Sequence, residues 1–433
     1  MDPIVVGILG IIFLLVVIGL GIHIGIALGL TGFLGIMMIT GFAPAARLAM
    51  ESMYFTNASY ALVTLPLFIL MGYLGAGGGI SKTLYDGLSK WTGRIKGSLG
   101  VATILGCAGF GAVCGSSIVT AAVFAKVSAP EMVRHGYDRK IAYGICAAGG
   151  SIGMLIPPSI LAVLYGILTG LSVGKLLLAG IGPGILLTAL FSLQIIIYSY
   201  RNHPDAGAAE KRITWKERFA TIPSFWPVIV TALIIFGGIF GGVFSPTEAA
   251  AFGTLVIFFL LITTKGGKAW GMLKSSLRDT ASTSAMVFLT MAGACVFSRY
   301  LAITGISEKV VEIILALKLG NFMLMVLLSV VFLALGCLMD SISMMTVMIP
   351  ILHPVVMKLG IDPYYFALIF IVATQVGIIT PPFGLAVFTV KGVAEAGVTL
   401  EEIFMGSMAF FYIMCVSLLL MILFPVITLF LIR

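Results

Sequence analysis

The chain has 433 residues, 60% of them hydrophobic and only 10% charged. That composition and a mean hydropathy of +1.17 exclude a soluble globular domain, because apolar runs long enough to cross a bilayer recur along the whole length. The net charge of +8 would suit a nucleic-acid binder, but the basic residues sit in short loops between apolar runs, so the lipid bilayer is the expected partner and nucleic acid is not.

Met1-Asp2-Pro3 leads straight into an apolar run, without a basic n-region or a small-residue cleavage site, so a first spanning helix that stays with the protein is expected over 4–20. Further spans are predicted at 23–42 and 60–79. Gly75-Ala-Gly77-Gly78-Gly79 lacks the Lys-Ser/Thr of a phosphate loop and reads as the end of a helix. The segment 98–128 carries Gly106, Gly109, Gly111 and Gly115 in mid-run. At about 1 kcal/mol per glycine relative to alanine, it reads as a re-entrant hairpin whose turn is buried in protein or lines a cavity. A broken helix at 140–170 and a continuous one at 178–200 follow, then a polar linker, Arg201 to Arg218. The later part gives spans at 224–243, 247–264 and 281–303, a hairpin at 321–352, a broken helix at 364–392 and a last span at 404–431. Ser245-Pro246-Thr247-Glu248 reads as a capping box opening the second of these.

The two parts repeat. Gly153-Met-Leu-Ile-Pro157-Pro158 returns as Gly377-Ile-Ile-Thr-Pro381-Pro382, 224 positions later. The same spacing aligns Pro130, Arg134, Gly136 and Asp138 with Pro354, Lys358, Gly360 and Asp362, and Ser116-Ser117-Ile118 with Asp340-Ser341-Ile342. Seventeen of the 25 Lys and Arg residues cluster at 82–96, 126–140, 201–218 and 265–278, segments expected to be cytoplasmic. Each cluster that has a counterpart in the other half faces a neutral or charge-balanced one there: 82–96 against 308–318, 126–140 against the stretch around Lys358 and Asp362, and 265–278 against the stretch around Arg47 and Glu51. The halves are therefore expected in opposite orientations, an inverted repeat with both termini outside. Trp91, Trp215, Trp226 and Trp270 lie in or beside these clusters, at headgroup level.

A Pro-Pro pair inside each broken helix removes backbone donors and frees carbonyls at one half-helix end and N–H groups at the other. The carbonyl end suits a desolvated cation such as Na⁺, and the N–H end an anionic substrate group. The sodium-binding candidates are Gly115, Ser116, Ser117, Gly153, Gly336, Asp340, Ser341 and Gly377. The substrate-binding candidates are Gly150, Ser151, Pro157, Pro158, Ser343, Thr374, Gln375, Thr380, Pro381 and Pro382. Oxygen ligands of this kind fit a hard monovalent ion and no other metal. Asp340 is the one acidic residue expected deep in the membrane; it reads both as a functional carboxylate and as a helix cap. Arg299 is expected to reach the headgroups. His23 and His353 have no carboxylate or histidine partner at helical spacing, and the six cysteines lie in apolar segments without metal-ligand spacing. No HExxH and no aspartate pair at protease spacing is present, so an enzyme is not expected.

Gly149-Gly150-Ser151-Ile-Gly153-Met-Leu-Ile-Pro157-Pro158-Ser159, Cys114-Gly115-Ser116-Ser117, the run at 245–251 and Thr380-Pro381-Pro382-Phe-Gly384 together resemble the large permease subunit of a TRAP (tripartite ATP-independent periplasmic) transporter, over essentially the whole chain. The resemblance implies an all-α polytopic membrane protein of the bacterial inner membrane, an elevator-type transporter of ion-transporter-superfamily architecture. It implies sodium-coupled import of a small organic anion, a carboxylate or sulfonate, with two protein partners: a small four-helix membrane subunit and a periplasmic substrate-binding protein. The organisation would be first-half scaffold and arm helices (1–96), first-half transport domain (97–175), connecting helix and linker (176–223), second-half scaffold and arms (224–320), second-half transport domain (321–395) and a C-terminal helix (396–433). The alternative is a divalent-anion/sodium symporter of similar architecture that needs no partner.

Overall fold

Apolar runs punctuated by glycine, proline and capping residues become helices, and in the computed structural model every element among the described residues is helical. Those residues are 2–202, 214–316, 319–337, 339–382 and 384–432. Most of the expected linker therefore lies outside them. The first half runs α1 (Pro3–Gly19), α2 (Ile24–Thr40), α3 (Phe42–Asn57), a tight turn at Tyr60–Val63, α4 (Thr64–Gly78), α5 (Ile80–Thr92), α6 (Ser98–Cys114), α7 (Ser117–Val127), α8 (Ala129–Arg134), α9 (Arg139–Ile152), α10 (Ile160–Thr169) and α11 (Val173–Asn202). The rest runs α12 (Trp215–Phe219), α13 (Trp226–Ala232), α14 (Gly238–Phe240), α15 (Pro246–Lys265), α16 (Ala269–Thr304), α17 (Ile306–Ala316), α18 (Asn321–Gly336), α19 (Ser341–Lys358), α20 (Pro363–Gly377), α21 (Leu385–Val393), α22 (Leu400–Leu423) and α23 (Val426–Leu429). Six helical stretches among the described residues are long and apolar enough to cross a membrane.

The spacing read from the sequence recurs in the helix boundaries. A shift of 224 positions carries the start of α7 onto that of α19 and the start of α9 onto that of α20. It carries α2, α6 and α10 onto α15, α18 and α21 to within two residues. The expected caps are present: Ser245 and Glu248 form the capping box of α15, and α4 ends where left-handed Gly79 follows it.

Several expectations are corrected. The charged segments around Arg47, Lys82 and Glu308 are the helices α3, α5 and α17, not loops. In α5 the reason is periodicity: Lys82, Asp86 and Lys90 lie exposed on one face while Leu84 and Tyr85 are buried on another, so charge marks a helix face there. The span expected at 281–303 is the end of the longer α16, which starts at Ala269. The last span stops at Leu423, ahead of Pro425, and resumes as α23.

Packing against α16 depends on small residues. A Cβ on Gly25 of α2 would stand 2.7 Å from the Leu289 carbonyl oxygen, and one on Gly32 would stand 2.9 Å from the Phe297 nitrogen. Glycine here lets two backbones approach, the small-residue packing that drives helix association in lipid. Tyr300 of α16 also donates to the Val6 carbonyl at 2.6 Å, fixing α1. On the other side, α4 meets α15 through Thr64 and Thr247 hydroxyls 2.7 Å apart and through Thr254, which donates to the Leu67 carbonyl at 2.9 Å. Gly32→Val is expected to destabilise the fold by about 1–3 kcal/mol, the usual penalty of overpacking. Gly271→Ala, where an added Cβ meets nothing, serves as the control. Thermal midpoints of the two purified variants in detergent check this, and equal midpoints would refute the packing argument.

Candidate functional site

Helix α9 ends at Ile152 and α10 begins at Ile160; α20 ends at Gly377 and α21 begins at Leu385. Both interruptions contain a cis Pro-Pro bond, Pro157-Pro158 and Pro381-Pro382. The first hairpin, α6–α7, turns at Gly115, whose φ of 62° is left-handed. The Gly115 carbonyl accepts from the Ile160 N–H at 3.3 Å, so the tip is docked on the first amide of the second half-helix. A Cβ at Gly115 would strike the Pro158 carbonyl oxygen. One turn earlier, a Cβ on Gly111 would lie 2.7 Å from the Gly153 Cα. The second half makes the same kind of approach, with a Cβ on Gly377 falling 2.5 Å from the Gly336 Cα. The halves also interlock, since α7 packs on α21 and α19 packs on α10.

Polar groups at these ends are mostly caps. Ser116 accepts from the Val119 N–H at 3.4 Å and Ser159 from the Ala162 N–H at 3.2 Å. Asp340 caps α19 by accepting from the N–H groups of Ile342 and Ser343 at 3.0 and 3.1 Å, and it also accepts from the Ser343 hydroxyl. The capping reading of Asp340 therefore holds. Its carboxylate, half-buried, also faces a cavity of about 270 Å³ that includes Ser343, Leu385 of α21, and Met286 and Thr290 of α16. The last two were not singled out from the sequence. The Thr290 hydroxyl returns to the Met286 carbonyl at 2.8 Å, so only its neighbours across the cavity distinguish it from an ordinary helical threonine.

The sequence candidates separate into groups. In the first half, Gly115, Ser117, Gly150, Gly153 and Pro158 come together, with a Cβ on Gly150 falling 2.6 Å from the Ser117 carbonyl oxygen. In the second, Gln375 donates to the Ser341 hydroxyl at 3.3 Å beside Gly336 and Gly377. Two buried oxygens near the breaks have no hydrogen-bond partner, Gln375 Oε1 and Thr120 Oγ1; Thr120, absent from the sequence candidates, lies against Gly153. The hydroxyls of Ser151, Thr374 and Thr380 donate to their own helices, to the carbonyls of Ala148, Ile371 and Val376. Pro157 and Pro158 are buried, whereas Pro381 and Pro382 are exposed. The two Pro-Pro pairs thus differ in what can reach them. Among the described residues no group of three or more His, Cys, Asp or Glu could hold a metal ion.

Membrane-length helices, two docked hairpins and two interrupted helices define a polytopic helical membrane protein. The family model of the tripartite ATP-independent periplasmic transporter DctM component matches residues 11–427. The chain belongs to this family of TRAP transporter large permease subunits. It is 32% identical over 369 residues, 85% of both chains, to the C4-dicarboxylate TRAP transporter large permease protein DctM of Pseudomonas aeruginosa. It is 30% identical over 420 residues, 96% of both, to the ectoine/5-hydroxyectoine large permease protein UehC of Ruegeria pomeroyi. It is 31% identical to the isethionate permease protein DctMQ of Oleidesulfovibrio alaskensis, covering 87% of this chain and 59% of that one. The fold is similar to the crystal structure of the Alcanivorax borkumensis YdaH transporter, with a TM-score of 0.62 at 14% identity over 88% of each chain.

Removing the Asp340 cap by Asp340→Ala is expected to lower stability by about 1 kcal/mol, and Asp340→Asn to restore most of it. Chemical or thermal unfolding in detergent measures both. Equal losses would mean that the charge, not the cap, holds the tip.

Proposed function

We propose that this chain is the transport subunit of a sodium-coupled importer that takes a small organic acid, a carboxylate or sulfonate, from a periplasmic binding protein. A small four-helix membrane subunit completes the assembly in the bacterial inner membrane. The observation that carries the reading is the docking of each hairpin onto a helix break, with an orphaned buried oxygen beside each: Thr120 Oγ1 in one half and Gln375 Oε1 in the other. A buried acceptor without a donor is unfavourable unless a cation completes it. Carbonyls at the breaks, the Ser116, Ser117 and Ser341 hydroxyls and the Asp340 carboxylate would supply further hard oxygen ligands for Na⁺. The N-termini of α7 and α10 meet at the Gly115–Ile160 contact, and those of α19 and α21 share the cavity at Asp340; positive dipole ends there would favour an anionic group. Ser343, which lines that cavity, would take part in holding such a group, and Thr380 is a further candidate.

The motion follows from the packing. The halves interlock through α7 with α21 and α19 with α10, so hairpins and half-helices would move together as one body. The α2–α16 pair, closed by glycine, is the static wall. An inverted repeat lets that body present its site to one side and then the other, an elevator motion. The relatives' names favour acids and zwitterions as cargo. The DctMQ protein, of which this chain covers 59%, leaves length for a second membrane component.

Uptake in proteoliposomes containing this chain and its small subunit tests the reading. Sodium gradient and binding protein are varied independently over succinate, isethionate, N-acetylneuraminate and ectoine. Uptake is expected to require both. Uptake with sodium alone would replace the proposal with the partner-free symporter. In the same assay Gln375→Leu is expected to raise the sodium concentration for half-maximal uptake about tenfold, the equivalent of about 1.4 kcal/mol of ion binding. An unchanged sodium dependence would remove Gln375 from the ion site.

A further inference from the structure

A second and larger cavity, about 590 Å³, lies further along α19 than the one at Asp340. The smaller cavity touches α19 at Ile342 and Ser343, the larger at Ile349, Pro350 and His353. At 1.5 Å per residue the two are about 12 Å apart along the helix. Ile24 at the start of α2 walls the smaller and α3 walls the larger, while the two linings meet on α16, where Thr290 belongs to one and Met291 to the other.

Arg299 of α16 lines this larger cavity, instead of serving only as a headgroup anchor as expected from the sequence. Among the described residues it has no ion-pair or hydrogen-bond partner. Glu51 shares the wall, but its carboxylate is held by Arg47 at 2.8 Å. Arg299 is therefore the one charged side chain on this wall, among the described residues, without a direct partner. Beside it stand the hydroxyls of Ser298 and Thr56, and His353, whose buried Nδ1 has no partner. Ser52 and Ser59 also line the cavity, and the rest of the wall, including Met291, Ala294 and Ile349, is apolar. Arg299 is exposed on α16, open to a ligand and not sealed in the packing. An unengaged guanidinium presents a planar fork that matches a carboxylate or sulfonate bidentately. The volume lies within the range of small-molecule sites.

We propose that this cavity is a second anion-binding site, separate from the one at Asp340, in which Arg299 grips the carboxylate or sulfonate of a small organic acid and the apolar wall takes its short carbon body. The choice of probe acids rests on the reading of the chain as an organic-anion transporter; the site itself rests on the cavity and its unpaired cation.

Cys295 gives a direct readout. It lies one helical turn before Arg299 and lines the same cavity. Purified full-length protein is treated with 2-sulfonatoethyl or 2-(trimethylammonio)ethyl methanethiosulfonate, and modification of the Cys295 peptide is followed by mass spectrometry. Cys337 and Cys415, both partly exposed, serve as internal references. The anionic reagent is expected to react at Cys295 about tenfold faster than the cationic one, as electrostatic focusing in a cleft predicts. Succinate or isethionate is expected to slow that reaction saturably. Arg299→Gln should abolish both effects and Arg299→Lys should keep the charge preference. Equal rates for the two reagents, or absence of protection by either acid, would overturn the proposal on wild-type protein alone, whether or not the variants fold. Neither sodium nor the binding protein enters the measurement, so its failure and the failure of the transport reading are told apart.

Discussion

A helix that stops inside hydrocarbon leaves N–H and carbonyl groups with no water to bond them. Two helices of this chain, α9 and α20, are interrupted within the bundle, and their neighbours are arranged to satisfy the groups set free. The Gly115 carbonyl takes the Ile160 N–H; Ser116, Ser159 and Asp340 take amides at the starts of α7, α10 and α19. Proline at 157–158 and 381–382 removes donors that would otherwise need partners. Hairpin and break are therefore complementary pieces. Glycine at 111, 115, 153, 336 and 377 is what lets them touch.

That complementarity concentrates polarity. A continuous helix would bury its backbone charges in its own ladder, whereas here half-helix ends meet near the interlocking of the two halves. Most of the side-chain oxygens there are engaged in capping or in bonds to their own helix. The few left over, on Thr120 and Gln375, stand out for that reason: a region in which nearly every acceptor is satisfied gives meaning to the ones that are not.

The repeat, the hairpins and the breaks were legible because they are written in residues that cannot be ordinary helix: glycine runs and Pro-Pro pairs at constant spacing. The arm helices α3, α5 and α17 were not, because charge density marks both a loop and the wet face of an amphipathic helix, and only the period distinguishes them. The sequence also presents Pro157-Pro158 and Pro381-Pro382 as equivalents. The fold does not, since the first pair is covered by the Gly115 turn and the second is open. That difference resides in tertiary neighbours, which a motif does not encode. Arg299 belongs to the same category. Its distance from the end of α16 suggested an anchor, but the position of α3 and α19 across from it makes it the wall of a cavity.

The two halves depart from equivalence most plainly along α16. In the first half the arm α3 and the span α4 are separate helices, parted by Ala58, Ser59 and a tight turn. In the second half the corresponding pieces are fused into 36 uninterrupted residues, a rod about 54 Å long at 1.5 Å per residue. A jointed arm absorbs displacement at its elbow, and a rod transmits it. Thr290 in the smaller cavity and Arg299 in the larger therefore stand on one unjointed element, so the spacing of the two cavities along this wall is fixed by a single rigid helix.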